Sequence, residues 1–283
     1  MHKDTFFQKK HTLNIGGKLL DLTNPKVMGI INITPDSFFE GSRKQGTEAI
    51  LQQAEKMLSE GADFLDLGAY SSRPGATDIS LDEEIQRLLP AVEAISNNFP
   101  EAILSIDTFR AKVAEEAVKA GAHIINDISG GSLDADMFVT VANLQVPYVL
   151  MHMKGTPQTM VQHAQYADVV EEVFDYFVDK YHQLKQLGVK DVIIDPGFGF
   201  AKTPEQSYTL IKHFNRFDVL QLPILVGISR KKMIYNLLGT TAEDALNGTT
   251  ALNTIALSKG ANILRVHDVK AAVEAVKIFI ACN

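Results

Sequence analysis

The chain has 283 residues, 46% of them hydrophobic and 22% charged, with a formal net charge of −7 and one cysteine. That composition suits one well-packed globular core, and the acidic balance argues against non-specific nucleic-acid binding, which rests on Lys and Arg neutralising phosphates. A lone Cys282 beside the C-terminus excludes an internal disulfide and a thiolate-rich metal site.

The N-terminal MHKDTFFQKK is polar and has no apolar signal core, and no apolar run approaches the about 18 residues a membrane span needs. A soluble cytoplasmic protein is expected. The segment HTLNIGGKLLDL (11–22) then reads as a small hairpin. VMGII (27–31) is the first of a series of short apolar strands, followed by an irregular stretch from Asn32 to about Gln45 and the helical pattern TEAILQQAEKMLSE. SEGADFLDLG (59–68) closes that helix with a glycine and opens a second strand. A second irregular stretch, Gly68 to about Asp78, precedes the helix LDEEIQRLLPAVEAI. Next come AILSI (102–106) with RAKVAEEAVKA, KAGAHIINDISG (119–130), PYVLM (147–151) with YADVVEEVFDYFVDKYHQLKQL, QLGVKDVIIDPG (186–197), PILVGI (223–228) and SKGANILRVHD (258–268).

Four of these segments are alike: a helix end, a glycine (Gly61, Gly121, Gly188, Gly260), a short apolar strand, then a polar residue. Glycine suits the left-handed helix C-cap. Strands that are apolar throughout are those buried on both faces of a parallel sheet. Eight strand–helix units predict an α/β protein of the (β/α)8 TIM-barrel class, as a single domain over 1–283, with the hairpin closing the barrel floor. The rival, an open doubly wound sheet, would want a G-x-G-x-x-G turn after an early strand, and there is none.

Active sites of such barrels lie at the C-terminal strand ends. Those ends carry Asn32; Asp66; Asp107; Asn126 and Asp127; His152; Asp195; Ser229, Arg230 and Lys231; and Arg265 with His267. Each has a structural alternative: Asp107 or Asp127 as a helix cap, Pro35-Asp36-Ser37 as a turn, Lys231 as a solvated charge, His267 as a satisfied imidazole. Their convergence on one rim favours a site. The two long loops add Arg73, flanked by Ser71, Ser72 and Pro74-Gly75, a cradle for a phosphate or carboxylate.

From about residue 14 to 280 the chain resembles the dihydropteroate synthases, on the motifs MGIINITPDSFFEG, DLGAYSSRPGA, SIDTFRAKVAEEAVKAGAHIINDISGG, VLMHMKGTP, VIIDPGFGFAKT, LVGISRKKMI and ILRVHDV. The resemblance implies condensation of a pterin pyrophosphate with p-aminobenzoate. It implies a pterin pocket of Asp107, Asn126, Asp195 and Lys231 with Met151 and Phe200 on the ring faces. Pyrophosphate ligands would be Asn32, Arg265 and His267, with Arg73 nearby, and Mg2+ would be held at Asn32. The p-aminobenzoate contacts would be Phe38, Ser72, Pro74, Ser229 and Lys231, and the chemistry would fall to Lys231, Arg265 and Asp107. Tyr70 stands where the family's commoner wording has Glu, which removes a carboxylate there. Competing readings are a methyltetrahydrofolate-binding corrinoid methyltransferase and a non-catalytic pterin-binding protein; the first should lack SSRPGA and the Asn32-Arg265-His267 anion set. A homodimer is expected through the stretches Asn247 to Lys259 and Ala271 to Ile280.

Overall fold

The structure, a computed structural model, describes residues 10–33, 43–71 and 78–283. β1 (Thr12–Ile15) and β2 (Lys18–Asp21) form the expected hairpin. Its two-residue turn is Gly16-Gly17, both at positive φ, as a tight hairpin turn requires, and Gly17 N donates to Asn14 Oδ1 at 2.8 Å.

The barrel strands are β3 (Lys26–Asn32), β4 (Phe64–Gly68), β5 (Ile103–Asp107), β6 (Ile124–Asp127), β7 (Tyr148–Met151), β8 (Val192–Asp195), β9 (Leu225–Val226) and β10 (Ile263–Val266). They form one parallel eight-stranded sheet in the order β8-β7-β6-β5-β4-β3-β10-β9, and the parallel bridge Ile194–Ile224 brings its two edges together. The helices are α1 (Arg43–Ser59), α2 (Leu81–Asn98), α3 (Ala111–Lys119), α4 (Met137–Leu144), α5 (Val169–Gln186), α6 (Pro204–Lys212), α7 (Lys232–Leu238), α8 (Leu246–Ser258) and α9 (Val269–Ala281). Their starts are chemically marked. Ser80 and Asp168 accept from backbone N–H groups of α2 and α5, and Thr203 with Gln206 makes a capping box ahead of Pro204. The four glycines of the repeated segment all have positive φ.

Alternation along each strand sorts side chains into two cores. Val27, Leu65, Leu104, Ile125, Leu150, Ile194, Val226 and Leu264 face outward and pack with the helices. Met28, Phe64, Ile124, Val149, Ile193, Leu225 and Ile263 face the lumen and form its lowest layer, sealed by Leu13, Ile15 and Leu22 of the hairpin segment. The floor is therefore dry and apolar, as the hairpin's position in the sequence predicts.

Not every strand-end polar group points into the mouth. Asp127 lies on the outward face. It accepts from Ser129 N and Oγ (both 2.7 Å), Gly131 N (2.8 Å) and the Tyr148 hydroxyl (2.7 Å). The alternation that sends Asn126 inward sends Asp127 outward, and its role is to brace the turn after β6. Arg230 also turns away: Nε and Nη2 bind Asp268 at 2.8 and 2.9 Å, and Nη1 donates to the carbonyls of Ala242 and Glu243. Asp107 caps no helix; Asp134 Oδ2 accepts from Ala111 N at the start of α3. The strand read at 223–228 is paired regularly only at Leu225–Val226, and α5 begins at Val169, after its Asp168 cap, instead of at Tyr166.

The floor plug makes a stability prediction. Leu13 is fully buried in the lumen layer, so Leu13→Ala should destabilise the fold by about 2–5 kcal/mol in urea titration with an unchanged m value. A change under about 0.5 kcal/mol, the range of ordinary surface substitutions, would show that the hairpin does not seal the core.

Candidate active site

Above the apolar floor the lumen turns polar. The next inward positions are Asp66, Ser105, Asn126, Met151, Asp195 and Arg265, and above them Gly68 and Asp107. Arg265 ties this layer together. Its Nε donates to Asp66 Oδ2 at 2.6 Å and its Nη2 to Asp107 Oδ2 at 2.7 Å. Asn126 Nδ2 donates to the same Asp66 Oδ2 at 3.0 Å, and the buried Asp66 Oδ1 has no hydrogen-bond partner among the described residues. Glycine keeps the upper lumen open. A Cβ on Gly68 would lie 3.3 Å from Asp107 Cβ, and one on Gly227 would stand 3.8 Å from Asp195 Oδ2 and 4.0 Å from Arg265 Cδ.

Asp195 and Lys231 complete the set. Asp195 Oδ1 accepts from Gly197 N at 2.8 Å. Lys231 Nζ donates to Phe198 O at 2.6 Å and stands 4.5 Å from the centre of the Phe200 ring. Phe200 and Met151 belong to an apolar wall with Ile128, Met153, Met160 and Ala201. A flat polar-edged molecule could lie on this wall with its edge toward the carboxylates.

Three lumen carboxylates, Asp66, Asp107 and Asp195, face two lumen cations, Arg265 and Lys231, and burial perturbs the proton affinities of Asp107, Asp195, Lys231 and Arg265. Burial pushes Asp107 up to about 7; Arg265 opposes the rise and Asp66 adds to it. Burial also raises Asp195, against the pull of Lys231. Lys231 is pushed down to about 8 by burial and by Arg265, with Asp195 and Asp107 holding it up. Burial works against the Arg265 charge as well, but Asp66 and Asp107 more than offset it, so its pKa lies above the usual arginine value. The pocket is short of positive charge and is suited to accept hydrogen-bond donors.

Several expected residues are elsewhere or differently engaged. Two of the three Arg265 nitrogens, Nε and Nη2, are committed to carboxylates. Ser229 is buried with its hydroxyl given to His267, accepting from the His267 backbone N at 3.2 Å and lying 3.0 Å from Nδ1. That contact sets the orientation of the His267 imidazole. His267 and Asn32 are exposed on the rim, Asn32 opposite Gly68 in the strand register. Phe38, Ser72, Arg73 and Pro74 lie outside the described residues. Tyr70 packs edge-on against Phe109 at 4.9 Å, accepts from Gln158 Nε2 at 2.8 Å and has Arg110 over its ring, so the tyrosine joins neighbouring loops of the rim. Asp66 was not among the expected ligands. Its inward position was readable from the alternation Phe64-Asp66-Gly68, but not that Arg265, far off in sequence, would close on it.

Among the described residues no group of three His, Cys, Asp or Glu side chains could hold a metal ion. Among the described residues the Asn32 side chain stands exposed at the rim as a neutral oxygen donor, of the kind a hard cation accepts.

The charge imbalance gives a pH prediction. Asp107's folded pKa lies above its ordinary 3.8, so the folded state holds a proton that the unfolded chain releases. Its contribution to stability is full below about pH 4 and is lost as pH rises, completely so above about 7. Asp66→Asn removes a repelling carboxylate, so Asp107 should titrate lower and this slope should flatten. Carbon NMR of the aspartate carboxyls checks it; an Asp107 midpoint unchanged or higher in the variant would contradict the arrangement.

With this geometry in hand, comparison with known proteins is informative. The family model described as pterin binding enzyme matches residues 28–267. The dihydropteroate synthase of Escherichia coli K12 is 42% identical over 268 residues, covering 93% of each chain. Among solved structures, a Yersinia pestis dihydropteroate synthase in a sulfonamide drug complex superposes with a TM-score of 0.89 at 40% identity, covering 96% of this chain and 98% of that one. A Xanthomonas albilineans dihydropteroate synthase with 4-aminobenzoic acid gives 0.88 at 38% identity with the same coverage. The chain belongs to the pterin-binding enzymes, in the dihydropteroate synthase family.

Proposed function

We infer that this chain condenses 6-hydroxymethyl-7,8-dihydropterin pyrophosphate with p-aminobenzoate, giving 7,8-dihydropteroate and pyrophosphate. The observation that carries the reading is the polar layer of Asp107, Asn126, Asp195, Lys231 and Arg265, set in an otherwise apolar lumen and walled by Met151 and Phe200. A pterin's 2-amino-4-oxo edge offers N–H donors to carboxylates and an oxygen to a cation. Asp195 keeps Oδ2 free for that edge. Asn126 turns its N–H to Asp66 and keeps its carbonyl for the ligand. Lys231 has protons left for the ring oxygen and N5. Ligands with another edge would leave these buried groups unpaired, at a cost that provides selectivity.

Bond-making follows from this placement. The bond from the exocyclic methylene carbon to the pyrophosphate oxygen breaks, its electron pair leaving with pyrophosphate and a pterin-stabilised cation remaining at that carbon. The aniline nitrogen then bonds to the carbon and releases one proton to solvent. The aniline is neutral at pH 7 and needs little activation, so the residues mainly stabilise charge. Arg265 Nη1, His267 and Asn32 stand on one side of the rim for the departing anion, with Arg73 assigned there by its motif. Asn32 is the residue that would hold a Mg2+ ion, which would supply positive charge to the leaving group. Phe38, Ser72 and Pro74 are assigned to p-aminobenzoate by motif, with Lys231 at the shared edge of both substrates.

We also assign a homodimer through α8 and α9, which expose Leu246, Ile255, Ile278 and Ile280, and place the enzyme in the cytoplasm, where the exposed Cys282 stays a thiol. Among the described residues no helix is long and apolar enough to cross a membrane.

Turnover of the two substrates to dihydropteroate tests the reading; a chain that binds the pterin without forming product would overturn it. Asp195→Asn swaps a charged acceptor for an amide and should weaken pterin binding by at least about 1.4 kcal/mol, tenfold, by calorimetry. Lys231→Met should do the same, and unchanged affinity in both would remove the pterin assignment.

A further inference from the structure

Lys202, the residue before the Thr203 cap of α6, carries a charged side chain into the interior and is only 7% exposed. Its Nζ lies 2.8 Å from His152 Nδ1, 3.2 Å from His152 O, 3.1 Å from Gly197 O and 3.0 Å from Phe200 O. None of these acceptors is a carboxylate, and the reaction derived above makes no use of the amine. Burial pushes it well below the usual lysine value, with Asp195 pulling the other way. Such a group is costly to bury unless its hydrogen bonds are fully used, and here four acceptors surround three protons. His152 is equally enclosed. Its ring packs edge-on against Tyr176 at 4.8 Å, and burial, with Lys202 and Lys154 nearby, keeps it neutral. With Lys202 as donor in this contact, Nδ1 accepts and the ring proton is on Nε2.

The acceptors share one feature: they fix the loop from β8 to α6. That loop is wound tightly, with Gly197, Gly199 and the non-glycine Ala201 all at positive φ. It passes so close to β7's end that a Cβ on Gly197 would come within 2.2 Å of His152 O. The same loop supplies Gly197 N to Asp195, Phe198 O to Lys231, and the Phe200 ring beside Lys231. We propose that Lys202, clamped to His152, is a positioning residue for the condensation: it pins the Gly197 and Phe200 carbonyls and thereby aims Asp195, Lys231 and Phe200 at the pterin. The inference rests on the pterin reading of those three residues. Lys202 acts through the loop and touches no substrate.

Lys202→Met keeps the stem and removes the donors. Calorimetry with the pterin pyrophosphate should show affinity at least about tenfold weaker, the loss expected when charge-assisted bonds that fix a site are removed, while KM for p-aminobenzoate at saturating pterin stays within about threefold. His152→Asn places an amide oxygen near Nδ1 and should keep pterin affinity within about threefold, whereas His152→Leu should lose it as Lys202→Met does. A lower melting temperature in Lys202→Met with wild-type pterin affinity would mean a purely structural lysine and overturns the proposal. If Lys202→Met does not fold, equal affinity in the two His152 variants overturns it instead. Asp195→Asn is titrated in parallel. Unchanged affinity there sinks the pterin reading and this inference with it; a loss there beside wild-type affinity in Lys202→Met sinks the inference alone.

Discussion

Arg265 reaches across the lumen from β10 to hold Asp66 on β4 and Asp107 on β5, and the site depends on that span. Both carboxylates lie within the lumen, where an unpaired buried charge costs several kcal/mol, and the guanidinium gives each a charge-assisted partner. One guanidinium is shared between two carboxylates, and Asp195 and Lys231 add a further charge of each sign to the lumen layer. Burial raises the Asp107 pKa, with Arg265 opposing the rise and Asp66 adding to it. A ligand edge rich in N–H donors pairs with these carboxylates, which favours a pterin over molecules that present another edge.

The rest of the fold serves to keep this layer in place and dry. The hairpin segment packs Leu13, Ile15 and Leu22 against the lowest lumen layer and closes it with apolar side chains. Residues that face away from the lumen stiffen the rim: Asp127 braces the turn after β6, Arg230 binds the start of α9 through Asp268, and Ser229 sets the His267 ring. These groups sit beside the ligands in sequence and hold the geometry of the rim. Strand ends in a barrel alternate in this way because the pleat does.

Much of this was legible in the sequence. Continuous apolar strands punctuated by Gly61, Gly121, Gly188 and Gly260 announce a parallel barrel, and the strand-end rule locates the mouth. Asn126, Asp195 and Lys231 stand in the lumen layer as their motifs imply. What was not legible is pairing across the lumen. Nothing local tells that Arg265 would spend two nitrogens on Asp66 and Asp107, separated from it by much of the chain, or that Lys202 would fold inward onto His152. Strand-end position also could not separate Asn126 from Asp127, where only the inward or outward register decides. The motif residues Phe38, Ser72, Arg73 and Pro74 keep the standing the motifs give them.

A double-mutant cycle between Asp66 and Arg265, read in kcat/KM for the pterin pyrophosphate, tests the central claim most directly. If Asp66 serves the site by holding Arg265, Asp66→Asn should lower kcat/KM strongly in the wild type but by less than about threefold once Arg265→Gln is present, since residues acting as a unit are non-additive. Independent, multiplying losses from the two substitutions would contradict the account.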